Sequence, residues 1–114
     1  MIDIQSMFNC AYNFNQPIGN WDVSRVTNMN FMFSNAWAFN QPIGEWDVSN
    51  VTNMHCMFNG AHKFNQPIGD WDVSSVTDMQ HMFYNTAFNQ DISKWNISDK
   101  TNIYSMFERC QIIE

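Results

Sequence analysis

The residues of this chain with the clearest chemical potential are acids placed on either side of tryptophans. Trp46 lies between Glu45 and Asp47, and a short strand at this point would turn the indole inward and both carboxylates outward. The same alternation gathers five of the eleven acidic residues on one outward strip: Asp22, Glu45, Asp47, Asp70 and Asp72. Lys94 and Asn96 fall at the equivalent positions of the last unit and end the strip.

Two interpretations of this acidic strip stay open. Like charges stacked about 5 Å apart repel one another, so the strip could be a face for a basic partner or a site for a cation such as calcium, which takes oxygen ligands. Alternatively, each aspartate accepts a hydrogen bond from the backbone of the following turn, near a helix N-terminus where negative charge is favourable. No residue is assigned as a metal ligand.

A second candidate surface is aromatic. Tyr12, Trp37 and His62 occur at the same position of successive repeats and are predicted to face outward beside the turn that leads to Phe14, Phe39 and Phe64. Rings in a row could stack on sugars or anchor a protein partner. The alternative is that they only shield the phenylalanine layer beneath them.

Catalytic and metal-binding patterns are absent from the sequence. The three histidines occupy three different positions of the repeat, and so do the three cysteines. These residues are His55, His62, His81, Cys10, Cys56 and Cys110. No H-E-x-x-H, C-x-x-C or G-x-S-x-G motif occurs, and an odd cysteine count argues against a disulfide framework. We therefore expect no enzymatic activity, no cofactor, no metal site built from histidine or cysteine, and cysteines that remain reduced thiols.

These candidate residues are positioned by an internal repeat. Trp21, Trp46, Trp71 and Trp95 head successive copies of W-D-V-S-x-V-T-N-M-x-x-M-F-x-x-A-x-x-F-N-Q-P-I-G-x. The chain divides into a partial unit at 1–20, units at 21–45, 46–70 and 71–94, and a partial unit at 95–114. About four and a half coils form a single repeat domain, which exceeds the three that a stable stack requires.

Each unit is predicted to contain a short strand, a corner and a short helix. Val26, Met29, Met32 and Phe33 fit one face of a helix over about 25–34, with Ser24 as its N-cap. The alternation in 14–18 and in 21–23 is out of phase across Gly19, so we expect a corner there that uses the positive φ glycine tolerates. The fold class that follows is an α/β solenoid of stacked coils.

Equivalent apolar residues should stack into one continuous core. The predicted inward columns are Trp21/46/71/95, Val23/48/73 with Ile97, Val26/51/76, Met29/54/79 with Ile4 and Ile103, Met7/32/57/82/106, Phe8/33/58/83/107, and Phe14/39/64/88 with Ile113. Asn15, Asn40, Asn65 and Asn89 should form a polar ladder that satisfies backbone groups, and the glutamine and threonine columns should act likewise.

Composition excludes several functional classes. The chain has 114 residues, no leucine, sixteen asparagines, and a net charge of −6 with only five Lys and Arg. This balance gives no electrostatic footprint for nucleic acid, and the 45% hydrophobic content is too high for a disordered chain. No stretch is long enough to span a membrane, and Met1–Gln5 lacks an export pattern, so the sequence by itself predicts a soluble protein that is not exported.

The repeat resembles a known family. The run from Phe39 to Phe58, F-N-Q-P-I-G-E-W-D-V-S-N-V-T-N-M-H-C-M-F, is similar to the repeat of BspA-like surface proteins, which is also found in mycoplasma lipoproteins. The resemblance covers essentially the whole chain. It implies a leucine-rich-repeat-like fold, a place at the cell surface, and a role in adhesion or protein binding without catalytic residues.

Two functional hypotheses follow. The first is a non-catalytic protein-interaction or adhesion module that presents the acidic strip and the aromatic column to a protein partner or basic ligand. The second is a structural element that assembles with copies of itself, end to end or as a dimer, because apolar residues at both ends have no polar cap, such as Ile2, Met7, Ile112 and Ile113.

Overall fold

The predicted helices and strands are absent from the part of the chain that the structure describes. A computed structural model describes residues 3–110, and in that range it contains no α-helix and no strand, only isolated parallel bridges between Asn28 and Asn53, Asn53 and Asp78, and Asp78 and Asn102. The radius of gyration of 12.7 Å is close to the ~13 Å of a compact globule of this length. The prediction of an α/β solenoid of the leucine-rich-repeat type is therefore wrong.

The predicted helix is replaced by a six-residue turn segment in each unit, at 5–10, 30–35, 55–60, 80–85 and 104–109. Its amides alternate between two kinds of partner. Met32 N–H donates to Met29 O within the unit (3.2 Å), whereas Phe33 N–H donates to Met57 O of the next unit (2.8 Å). This alternation places Phe31 and Asn35 at positive φ, 57° and 58°, which a helix does not allow.

The spacing between units explains why no helix forms. The rings of Phe33 and Phe58 are 5.4 Å apart and those of Phe58 and Phe83 are 5.7 Å apart. Packed helices need 8–10 Å between their axes, so layers this close exclude them. A turn in which Met32 N–H donates to Met29 O places both side chains on the same side of the chain. A helix also places residues three apart on one side, so the same sequence pattern is compatible with either structure.

The predicted apolar columns do form one core in the inner units. Every valine, methionine and phenylalanine column is buried there, and Trp46, Trp71 and Trp95 are at most 8% exposed. Each of these three indole N–H groups donates at 3.0 Å to the backbone carbonyl of an isoleucine 27 or 28 residues earlier in the chain, namely Ile18, Ile43 and Ile68. The stacking of equivalent residues is thereby confirmed.

Four residues predicted to be in the core are exposed in the outer units. Met7 and Ile103 are each 52% exposed, and Trp21 and Phe107 are each 37% exposed. The prediction is wrong for these residues, each of which is the first or last member of its column among residues 3–110 and has an equivalent residue on one side only. A place at the end of a column permits exposure but does not require it, since Ile4, Trp95 and Met106 are also at column ends and are buried. Ile2, Ile112 and Ile113, which were expected in the core or at the ends, lie outside the described residues.

The polar ladders predicted between units are confirmed. The side-chain oxygen of Asn15 accepts from Asn40 N–H at 2.9 Å, and that of Asn40 accepts from Asn65 N–H at the same distance. Gln41 and Gln66 donate their side-chain amides to the same asparagines. These bonds satisfy backbone groups at the turn, as buried or half-buried peptide groups require.

The corner at Gly19 exists, but the reason expected for its glycine is wrong. Residues 19–20, 44–45 and 69–70 are turns, yet among the described glycines only Gly60 has positive φ. A Cβ atom at Gly19 would lie 2.5 Å from Pro42 O, and one at Gly44 would lie 2.6 Å from Pro67 O. Glycine is needed there because the backbones of adjacent units touch.

Over residues 3–110 there is also no helix of the length and apolarity that crossing a membrane requires.

Candidate binding face and groove

The first row of the acidic strip consists of Asp22, Asp47 and Asp72, which are all exposed. In each, the carboxylate Oδ1 accepts from the hydroxyl of the serine two residues later at 2.6 Å and from its backbone N–H at 3.0 Å. The predicted bond to the backbone of the following turn is therefore confirmed, although no helix follows, and Ser24 is not the N-cap of a helix.

These bonds keep the first row ionised. The serine hydroxyl is the main cause that lowers the pKa of each carboxyl below its ordinary value, and the serine N–H is the second. For Asp47, the nearby charges of Asp72 and Asp22 act in the opposite direction. The row therefore remains a set of neighbouring negative charges well into the acidic range.

Acid should weaken the fold through this row. A carboxyl whose pKa is lower in the folded chain than in the unfolded chain stabilises the fold at pH values above 3.8, its ordinary pKa. That stabilisation is lost as the pH falls through the lowered pKa of the folded chain. We expect the urea midpoint of the native chain to fall as the pH is lowered from neutral to below the ordinary carboxyl pKa of 3.8. A D22N/D47N/D72N variant keeps the acceptor oxygens but does not titrate there, so its midpoint should depend less on pH. Parallel curves for the two proteins would contradict this.

The second row contains Glu45 and Asp70, with Lys94 at the equivalent position of the next unit. Lys94 Nζ lies 3.2 Å from Asp70 Oδ1, and the two side chains are 79% and 84% exposed. Exposed pairs of this kind add little to stability. The pair shows instead that a carboxylate of this row accepts a lysine ammonium from the neighbouring layer.

The second row borders an open groove of about 580 Å³. Its lining contains three carboxylates and one ammonium, since Asp91 joins Glu45, Asp70 and Lys94. The groove is further lined by Gly19, Gly44, Gly69, Pro42, Pro67 and Gln90. Asp91 stands where the earlier units have proline, and the N–H of Ser93 is the main cause that lowers the pKa of its carboxyl. The rim of the groove is thus net negative.

The aromatic column is assembled as a stack. The rings of Tyr12 and Trp37 are 4.2 Å apart and tilted by 36°, and those of Trp37 and His62 are 5.9 Å apart. Tyr12 and Trp37 are 45% and 46% exposed. Because these rings cover much of one another's faces, the column offers ring edges to a partner more than the open faces that a sugar stacks on.

The remaining reactive side chains are dispersed. His55 Nδ1 lies 3.3 Å from Asp78 Oδ1, and the three cysteine thiols are free. Nowhere in residues 3–110 are three or more His, Cys, Asp or Glu side chains placed to hold a metal ion.

Sequence reasoning found the two acidic rows but missed the groove. Sequence reasoning missed Asp91 although the alignment of Asn65 with Asn89 already places it at the position of Pro42 and Pro67. The alternation around the tryptophans, which identified the other acids, does not extend to this position. The groove itself could not be read from the sequence, since it is lined by glycine and proline backbones of adjacent units whose close approach results from packing.

Comparison with known proteins places the chain in one family. A family model described as a Mycoplasma protein of unknown function, DUF285, matches residues 2–114. No curated protein and no solved structure matches the chain.

Proposed function

Because the chain belongs to the Mycoplasma protein family of unknown function DUF285, we propose a function from its own surface: it is a non-catalytic module that binds a basic protein partner through its acidic face. This face consists of Asp22, Glu45, Asp47, Asp70 and Asp72. The resemblance of the repeat to BspA-like surface proteins supports adhesion as the setting of that binding.

The observation that carries the proposal is the state of the first row. Its three carboxylates are exposed, the charges of Asp22 and Asp72 act on Asp47, and in each carboxylate Oδ1 accepts from a serine while no protein group of residues 3–110 donates to Oδ2. Repulsion among fixed like charges is relieved when a basic surface docks. The aromatic column of Tyr12, Trp37 and His62 adds an exposed apolar ridge that could contribute to the same kind of interface.

Selection from a random peptide library with the native chain as bait tests this function. We expect selected peptides to be enriched in Lys and Arg, and their Kd to rise with salt because exposed charges are screened. An E45Q/D47N variant should bind them about fivefold more weakly, since each exposed ion pair contributes modestly. Asn at position 47 can still accept the bond from Ser49 N–H.

The matched control is D3N/E108Q, which removes the same charge from exposed positions outside the acidic face. It should bind the selected peptides nearly as the native chain does. A library without basic enrichment, or equal weakening by the two variants, would refute the acidic face. A sedimentation mass that grows with concentration in the absence of peptide would instead favour assembly through the end units, where Met7, Ile103 and Tyr104 are exposed.

A further inference from the structure

We propose that the groove beside the second acidic row binds an extended peptide whose Lys or Arg side chains occupy alternate positions. This inference rests on the proposed function and names the form of the partner. Three features of the groove support it: the charge of its rim, the spacing of its carboxylates and the unpaired peptide groups along its lining.

The charge of the rim selects a cation. Glu45, Asp70 and Asp91 line the groove with Lys94 as the single basic residue among its lining side chains. The chain itself contains an example of the expected contact, because Lys94 Nζ lies 3.2 Å from Asp70 Oδ1 in the adjacent layer. A ligand ammonium or guanidinium can make the same contact with Glu45.

The spacing of the units at the tryptophans suits an extended peptide. Trp46, Trp71 and Trp95 directly follow the second-row residues Glu45, Asp70 and Lys94 in the chain, and successive indole rings are 6.5 and 6.4 Å apart, wider than the 5.4 to 5.7 Å of the phenylalanine column. Every second residue of an extended chain advances by about 6.6 Å and points to the same side. A peptide that runs along the stack therefore presents one side chain to each layer.

The lining also offers peptide groups to a ligand backbone. Within residues 3–110, the N–H groups of Gly44, Glu45, Gly69 and Asp70 have no protein acceptor. Peptide N–H groups bind strongly to carbonyls, and extended peptides commonly use them. Gly44 and Gly69 carry no side chain that would cover these groups.

Two isomeric peptides test the geometry. One alternates Lys and Ser, and the other has the same residues in two blocks, so that charge and composition are identical. We expect the alternating peptide to bind the native chain about fivefold more tightly by fluorescence anisotropy, because two further ion pairs match the layers. Equal affinity for both isomers overturns the groove inference while leaving the acidic face intact. Failure of both to bind counts against the proposed function itself.

A gain of affinity tests the location. Lys94→Glu adds a carboxylate to the second row and frees Asp70, so the alternating peptide should bind about fivefold more tightly than it binds the native chain. Lys63→Glu is the matched control, since it makes the same change of charge at an exposed residue outside the groove. It should change the affinity less than twofold. Equal gains from the two variants would show that only net charge matters and would overturn the inference.

Discussion

Phe58→Ala is expected to lower the free energy of unfolding by about 4 kcal/mol, which is typical for truncation of a fully buried phenylalanine. Phe58 has no exposed surface, and its ring lies 4.1 Å from that of Phe64 and within 6 Å of Phe33 and Phe83. Layers held by inter-unit hydrogen bonds have little freedom to collapse onto the cavity, so most of the cost should remain.

The control for this prediction is Phe107→Ala, in the same column but in the last unit. Phe107 is 37% exposed, and it contacts Phe83 on one side with a ring separation of 5.6 Å. Its truncation should cost about 1 kcal/mol. Urea unfolding followed by tryptophan fluorescence measures both variants. Similar losses of unfolding free energy for the Phe58 and Phe107 variants would contradict a core that is fully buried in the inner units and partly exposed in the last unit.

Gly44→Ala should destabilise the fold by about 2 to 3 kcal/mol, the usual scale of overpacking. The new Cβ would lie 2.6 Å from the backbone oxygen Pro67 O. Neither atom can be moved by rotation of a side chain, so the backbones themselves would have to separate. The neighbouring bond from Trp71 Nε1 to Ile43 O, 3.0 Å long, would be stretched as the layers separate. At an unstrained site the same substitution often stabilises a protein by restricting the unfolded chain, so the sign of the effect is informative.

Gly60→Asn is the contrasting variant. Gly60 has φ of 77°, but the equivalent residues Asn35 and Asn85 adopt φ of 58° and 57° with side chains in place. A Cβ at Gly60 would meet the end of the exposed Asn35 side chain, which can move. We expect a change within about 1 kcal/mol. If Gly60→Asn proved as damaging as Gly44→Ala, close backbone approach would not be the reason for glycine at position 44.

The groove and the acidic face differ in how far the sequence could predict them. Alternation around Trp46 was enough to place Glu45 and Asp47 outward, because side chains of an extended segment point to opposite sides. The groove required knowledge of how closely the backbones of Gly44 and Pro67 approach. No local pattern carries that distance, since it results from packing between units.

The sequence by itself determined the repeat, its register and the identity of the buried columns, because each unit repeats the same apolar and polar positions and must bury the same face. It also determined the asparagine ladder through Asn40 and Asn65. The tertiary structure decided the conformation of the backbone between those positions. A spacing of three residues suits both a helix and a chain of turns, and the rings of Phe33 and Phe58, 5.4 Å apart, show layers too close for helices. The amides therefore alternate between turns and the next unit, and the residues predicted as a helix form turns instead.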